Sequence, residues 1–520
     1  MKKSLIIFAA VLVLFGCSDD SSSQTNNTTT NNNENDAATD FMDSSGDTLI
    51  SDGDVEEDVQ TNNTTESYNR LLSGIKVDGV SVFQAVEIPL ILEGLEVSEL
   101  NAPIITERDA LFTVNVSLDE QWQPQTVTAV LTLRSSGIEK NYTVSKFLST
   151  ETPSETDDPS FSFSVDGTNI TPDTTWYLRF TSPEMPEIDP GVSHEGRFPS
   201  DGVPFELGAL YDGGGVNLVI VPVEYNIDGS GRMPDVSAEQ LQLIEEMFLM
   251  LYPVANLNLT VRDYISWPLP GENPSSFDFG DMNEYLRILK EEDNAAQDVY
   301  YYAMVNPDET FEDYCSGTCT TGQSYKVTSP ENGSYRVGTG VGFSGERWVW
   351  TLLHEMGHMH GRGHTNCGTL IGVDWSYPYS GGKTGVWGYN INDDTFLDPN
   401  VTNDYMGYCD DQWVSDYNYD AIFTRVIAVR SLGKSLSQKT ENVLLVNLKD
   451  MSYKWAKNSS PLLKNGTECT LTLTDSRGKE IFHEKVFGIT QSHSSLVTLP
   501  VSLPPWLQKE DISFVSLLFK

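Results

Sequence analysis

The sequence predicts a multidomain chain in which an α/β domain with a mixed sheet stands between an N-terminal and a C-terminal β-sandwich. Three observations lead there. Short runs of alternating apolar residues crowd positions 68–200 and return after 438. Between them, buried-type strands alternate with helical spacing, which is the pattern of strands covered by helices. Roughly 450 residues follow a polar N-terminal tract, too many for one core of usual size.

Residues 1–17 begin Met1-Lys2-Lys3, continue with the apolar run Leu5 to Phe15, and end Leu14-Phe15-Gly16-Cys17. That run is too short to span a bilayer as a mature helix, and the ending is a lipobox. The expectation is a cleaved signal, a lipidated Cys17, and an exported bacterial lipoprotein tethered to the membrane. Asp19 and Asp20 resemble the acidic export signals of some cell-surface lipoproteins. Residues 18–67 are rich in Ser, Thr, Asn, Asp and Glu, with no Lys or Arg up to Ser67. Such a stretch cannot bury enough apolar surface to offset its chain entropy, so it is expected to be a disordered stalk.

The predicted N-terminal domain, 68–200, carries strand signals at Gly79–Ile88, Ala110–Val116, Thr126–Leu133, Phe161–Val165 and Thr175–Phe180. Their spacing is that of a sandwich. The central domain, 205–435, opens with the continuous apolar strand Val216–Val223. A helix capped by Ser237 runs to Leu251, and a strand follows at Leu257–Val261. Next come a helix near 281–292 and the strands Val299–Val305 and 335–343. A helix beginning near Gly345 comes next, and Ser415 opens a closing helix that ends by Gly433. In the small domain 438–520, strands are expected at Asn442–Leu448, Cys469–Thr474 and Ile512–Phe519.

The stretch that begins in the helix after Gly345 holds four of the chain's seven histidines in eleven residues, His354-Glu355-Met356-Gly357-His358-Met359-His360-Gly361-Arg362-Gly363-His364. A helix turns about 100° per residue, so His354 and His358 share a face and can grip one ion. Gly361 permits a left-handed turn that ends the helix and brings His364 back as third ligand. Three neutral imidazoles suit one catalytic zinc, which lowers the pKa of water to roughly 7. Glu355 lies beside that face as general base. His360 points about 200° away from His358 and is read as a second-face histidine. The lone histidines His194, His483 and His493 are read as structural or solvated.

This stretch fits H-E-x-x-H-x-x-G-x-x-H at every fixed position and resembles the zinc signature of the metzincin proteases. The resemblance implies a metzincin-like catalytic domain with a methionine in a tight turn beneath the histidines, for which Met406 in Asn403–Cys409 is the candidate. Tyr408 stands where astacins and serralysins place a tyrosine that reaches the metal or the oxyanion. An edge strand of the sheet would take an extended peptide. The segments 374–382, 385–389, 404–409 and 413–419 are similar to the bacterial StcE-type, mucin-selective metalloproteases over about 205–435. That likeness implies O-glycosylated, Ser/Thr-rich substrates, while pappalysin-like peptidases of other specificity share the zinc motif.

After Cys17, five cysteines remain in an oxidising compartment. In the fold implied by the resemblance, Cys367 and Cys409 flank one metal site and are expected to pair. Cys315 and Cys319 could close a small ring, which leaves Cys469 free; sequence alone leaves the connectivity open. A net charge of −43 makes nucleic acid a poor partner. The acidic loops 392–394 and 398–400 could hold calcium, yet neither has EF-hand spacing. The oligomeric state is not legible. Two function classes compete: a surface-anchored zinc endopeptidase acting on extracellular proteins or glycoproteins, and a non-catalytic adhesin or glycan-binding lipoprotein on a decayed scaffold. The intact His354, Glu355, His358, His364, Met406 and Tyr408 favour the enzyme.

Overall fold

The computed structural model describes residues 70–72, 74–150, 160–182, 196–271, 274, 276–368, 371–432, 440–456, 459–463 and 465–519. The expected signal with Cys17, the expected stalk, His194 and Gly433 lie outside the described residues. All described residues belong to one unit, 63–520.

Nearest the N-terminus are two antiparallel sheets. One runs through Val86–Leu92, Ile75–Gln84, Ala110–Leu118 and Phe161–Val165, and the other through Gly196–Phe198, Thr175–Thr181, Gln125–Ser135 and Ile138–Leu148. Alternate residues of both, among them Val82, Phe112, Val114, Leu131, Trp176 and Leu178, bury into one cluster, as the two-residue period of a strand requires. The first sheet also takes in Gly388–Asn390 and Thr395–Leu397, two short strands from the segment between the third histidine and Met406. Gly388 pairs with Val86, and Trp413 Nε1 donates to Ala85 O at 2.8 Å. The loop below the histidines is therefore braced by the N-terminal sheet.

The central sheet orders its strands Leu257–Val261, Val216–Tyr225, Val299–Val305, Val337–Val341 and Gly322–Ser324, with Ile265–Trp267 also beside Val216–Tyr225. All pairings are parallel except that of the edge strand Gly322–Ser324, which is antiparallel. Both faces are covered, so the middle strands are largely apolar. Tyr300, Tyr302 and Met304 join the cluster containing helices Ala238–Leu251 and Glu346–Met359, whereas Tyr301, Ala303 and Val305 face helix Phe279–Glu292. Ser237 and Ser415 cap their helices as expected, each accepting from the backbone N–H three residues on.

The C-terminal residues form a seven-stranded antiparallel sheet, ordered Tyr453–Trp455, Thr440–Asn447, Leu496–Val501, Glu480–Thr490, Thr467–Thr474 and Phe514–Phe519, with Ser460–Pro461 beside Thr440–Asn447. It has a core of its own around Leu444, Leu471, Leu499 and the free Cys469. Ile489 and Leu463 leave that core and pack with Met282, Leu286 and Tyr335 of the central domain. The turn after Glu480–Thr490 is thereby carried to the edge strand Gly322–Ser324.

Candidate metal centre

Helix Glu346–Met359 is held down by Trp348, Val349, Leu352, Leu353, Met356 and Met359, and the same turns bury His354, Glu355 and His358. Gly361, at φ +90°, ends it. Gly361 N–H bonds His358 O at 2.8 Å and Arg362 N–H bonds Gly357 O at 2.9 Å, the paired bonds of a Schellman ending. A Cβ on Gly361 would come within 2.8 Å of Val327 O, so both the turn and its surroundings select glycine. The chain then returns, and His364 is fixed by bonds between its backbone and those of Gly372 and Asp374.

Each of these three histidines has Nδ1 against a backbone carbonyl: His354 on Tyr405 at 2.8 Å, His358 on Arg362 at 2.8 Å and His364 on Ile371 at 2.5 Å. A carbonyl only accepts, so each Nδ1 carries the proton and each Nε2 presents a lone pair. His358 Nε2 and His364 Nε2 lie 3.0 Å apart, and His354 Nε2 is buried without a hydrogen-bond partner. Converging lone pairs repel unless a cation lies between them, and carbonyls that fix the tautomer are the usual outer support of metal-bound imidazoles. The residues therefore fit a zinc ion. Burial keeps the rings neutral, pushing His354 down to about 4 and His364 down to about 3.

Beneath them lies the turn with Met406, wholly buried. Asp404, also wholly buried, builds it: its carboxylate accepts from Met406 N at 2.9 Å, Ser415 N at 2.9 Å, Ser415 Oγ at 2.6 Å and Asn418 Nδ2 at 2.8 Å. Burial raises its pKa against these bonds. A Cβ on Gly357 would collide with Met406 Sδ, so the helix and the turn meet only because residue 357 is glycine. Cys367 and Cys409 form a disulfide, and Cys315 and Cys319 another, as expected. His360 stacks on Tyr300 at 4.7 Å, away from the cluster.

Tyr408 OH stands 3.3 Å from His364 Nε2, and its pKa is raised, first by burial and then by Glu355. The Glu355 carboxylate is 1% exposed. Its Oε2 accepts from Ser324 Oγ at 2.6 Å and Ser492 Oγ at 2.9 Å. Its Oε1 lies 2.9 Å from His493 Nε2, and His493 Nδ1 is hydrogen-bonded to Tyr408 OH. Burial would raise the Glu355 pKa, but the neighbouring His493 brings it below the ordinary value. Above the cluster opens a cavity of about 1000 Å³ lined by Gly322, Arg347, Trp350, Ile371, Tyr408 and His493.

His493 is the correction to the sequence reading. It is not isolated: the ligand nitrogens of His354, His358, His364 and His493 all lie within 4.8 Å of one another. Nothing in the spacing of Gln491-Ser492-His493-Ser494-Ser495 marks it, because the docking of the C-terminal sheet brings it in. Ser492 was missed for the same reason, and Ser324 because the short edge strand Gly322–Ser324 has no pattern of its own. His483 stays at the surface, beside Thr472 and Glu480.

Residues 319–422 match the family described as Peptidase M66. No curated protein matches the chain. The match runs from Cys319 through the histidine helix and the Met406 turn into helix Asp416–Arg430, and it supports a metallopeptidase. It stops short of the C-terminal sheet that carries His493.

Proposed function

We propose that this chain is a zinc endopeptidase, lipid-anchored at a bacterial surface through Cys17, that hydrolyses extracellular proteins or glycoproteins, O-glycosylated ones among them. The observation that carries the reading is a buried carboxylate, Glu355, set beside three histidines whose tautomers are all fixed with Nε2 inward. The Peptidase M66 match over the same residues supports it.

Zinc held by His354, His358 and His364 would polarise the scissile carbonyl and make water a nucleophile near neutral pH. The remaining work falls to the chain. Glu355 takes the proton of the attacking water and returns it to the leaving amine. Ser324 Oγ bonds both the carboxylate and the backbone carbonyl of Glu355, which fixes the direction of the base. Tyr408, protonated at neutral pH, donates to the oxygen on which negative charge develops. The edge strand Gly322–Ser324 offers main-chain groups to an extended peptide. Surface anchoring and O-glycosylated substrates rest on the lipobox and on the StcE-type resemblance.

The test compares wild type with Glu355→Gln on casein and on O-glycosylated mucin. The variant should keep one zinc and lose cleavage by about 10²-fold or more. Equal cleavage by both proteins would overturn the reading, and mapped cut sites confined to bare protein would remove the glycoprotein part.

A further inference from the structure

The C-terminal turn does more than approach the metal centre; it lies along the path a substrate needs. Next to the edge strand, Ser492 N–H bonds Ser324 O at 2.7 Å and Lys326 N–H bonds Thr490 O at 3.0 Å, with Tyr325 and Gln491 in antiparallel register. Gln323 Nε2 donates to Gln491 Oε1 at 2.5 Å. Backbone pairing on an open sheet edge is how an extended peptide is bound, and residues 490–492 already use that edge.

The next residue stands at the reaction centre. His493 bridges Glu355 and Tyr408, the two groups that a peptide carbonyl and its attacking water must meet. Glu355 as a carboxylate only accepts, so His493 Nε2 carries the proton and Nδ1 keeps the lone pair, which accepts from Tyr408 OH and is released from it when a metal sits among the four histidines. An imidazole whose outer N–H is held by a carboxylate is the usual form of a histidine that binds metal through its other nitrogen. Ser492 Oγ occupies the second oxygen of Glu355, so the base is engaged on both. The backbone of His493 sits at φ +56°, a conformation that residues with a Cβ rarely adopt and that the surrounding contacts must hold. What reaches the centre is an imidazole, with no carbonyl for water to attack, so the occupant is not itself cut.

We infer that residues 490–493 are an in-chain plug: they take the substrate's place on the edge strand and close the metal centre with His493 as fourth ligand, so that the folded chain is latent until this turn withdraws. The inference rests on the metallopeptidase reading. Closed four-ligand zinc sites are structural, and catalytic ones keep a position open, so withdrawal converts one into the other.

The test uses the full chain as wild type, His493→Ala and His493→Asn, loaded with zinc for affinity and cleavage and with cobalt for spectroscopy. In both variants zinc affinity should fall by at least about tenfold, the loss seen even when an outer partner of a ligand is removed. Casein cleavage should rise by about tenfold or more, because only a small fraction of wild-type chains is open. Azide should shift the visible cobalt spectrum of the variants and leave that of wild type unchanged. Unchanged zinc affinity with equal azide shifts would overturn the plug, as would a fall in cleavage, which would make His493 an assisting residue. If neither wild type nor variant cleaves any protein while azide still separates them, the closed site stands and the peptidase reading fails.

Discussion

The floor of the cleft and its roof reach the same few ångströms of space by different routes. The floor comes from one helix, its glycine ending and a methionine turn clamped by a disulfide, all within residues 346–409. The roof is a turn of another sheet, and His493 lies 138 residues from the Glu355 it touches. A floor written in local spacing is rigid and readable. A roof delivered by docking one sheet against another can leave without unfolding what lies below it.

The largest expected effect breaks the floor. Asp404→Ala strips the acceptor from Met406 N, from both donors of Ser415 and from Asn418 Nδ2. Four unpaired buried donors, at about 1–3 kcal/mol each, should lower stability by about 5 kcal/mol or more, measured by denaturant titration, with zinc binding impaired as the turn loosens. The disulfides sharpen the contrast next. Cys367–Cys409 spans 42 residues and Cys315–Cys319 only 4. On chain-entropy scaling, replacing the first pair by serine should lose about 4 kcal/mol and the second about 2 kcal/mol. Equal losses would mean that the long bridge does not hold the floor together.

The smallest effect concerns the roof. Ser492→Ala removes one of the two hydroxyls on Glu355 Oε2, and Ser324 remains. Global stability should fall by no more than about 1 kcal/mol. Hydrogen exchange should quicken at Lys326 N–H, which bonds the plug, and stay slow at Met406 N–H beneath it. Equal quickening at both sites would show that floor and roof open together.

The same contrast decides what could be read from the sequence. His354, His358 and His364 follow from helical geometry and one glycine, the Cys367–Cys409 bridge lies where the resemblance implied, and Cys315–Cys319 closes the small ring that its spacing allows. Helix caps at Ser237 and Ser415 are local chemistry and were equally legible. The strands Gly388–Asn390 and Thr395–Leu397 were not, because they exist only by pairing with a sheet some three hundred residues earlier. The edge strand Gly322–Ser324 has three small or polar residues and no alternating pattern, so only its partner Val337–Val341 defines it. His493 looked solvated because its neighbours in sequence are serines and glutamine, while its neighbours in space are Glu355, Tyr408 and three imidazoles.

Zinc reconstitution of the chelator-stripped chain, with bound metal and peptide cleavage read from the same samples, decides whether the three histidines hold a catalytic metal. Both should return in proportion and level off at one zinc per chain, and His358→Ala should recover neither. Cleavage that persists in the stripped chain, or zinc bound in full by His358→Ala, would contradict a catalytic metal there.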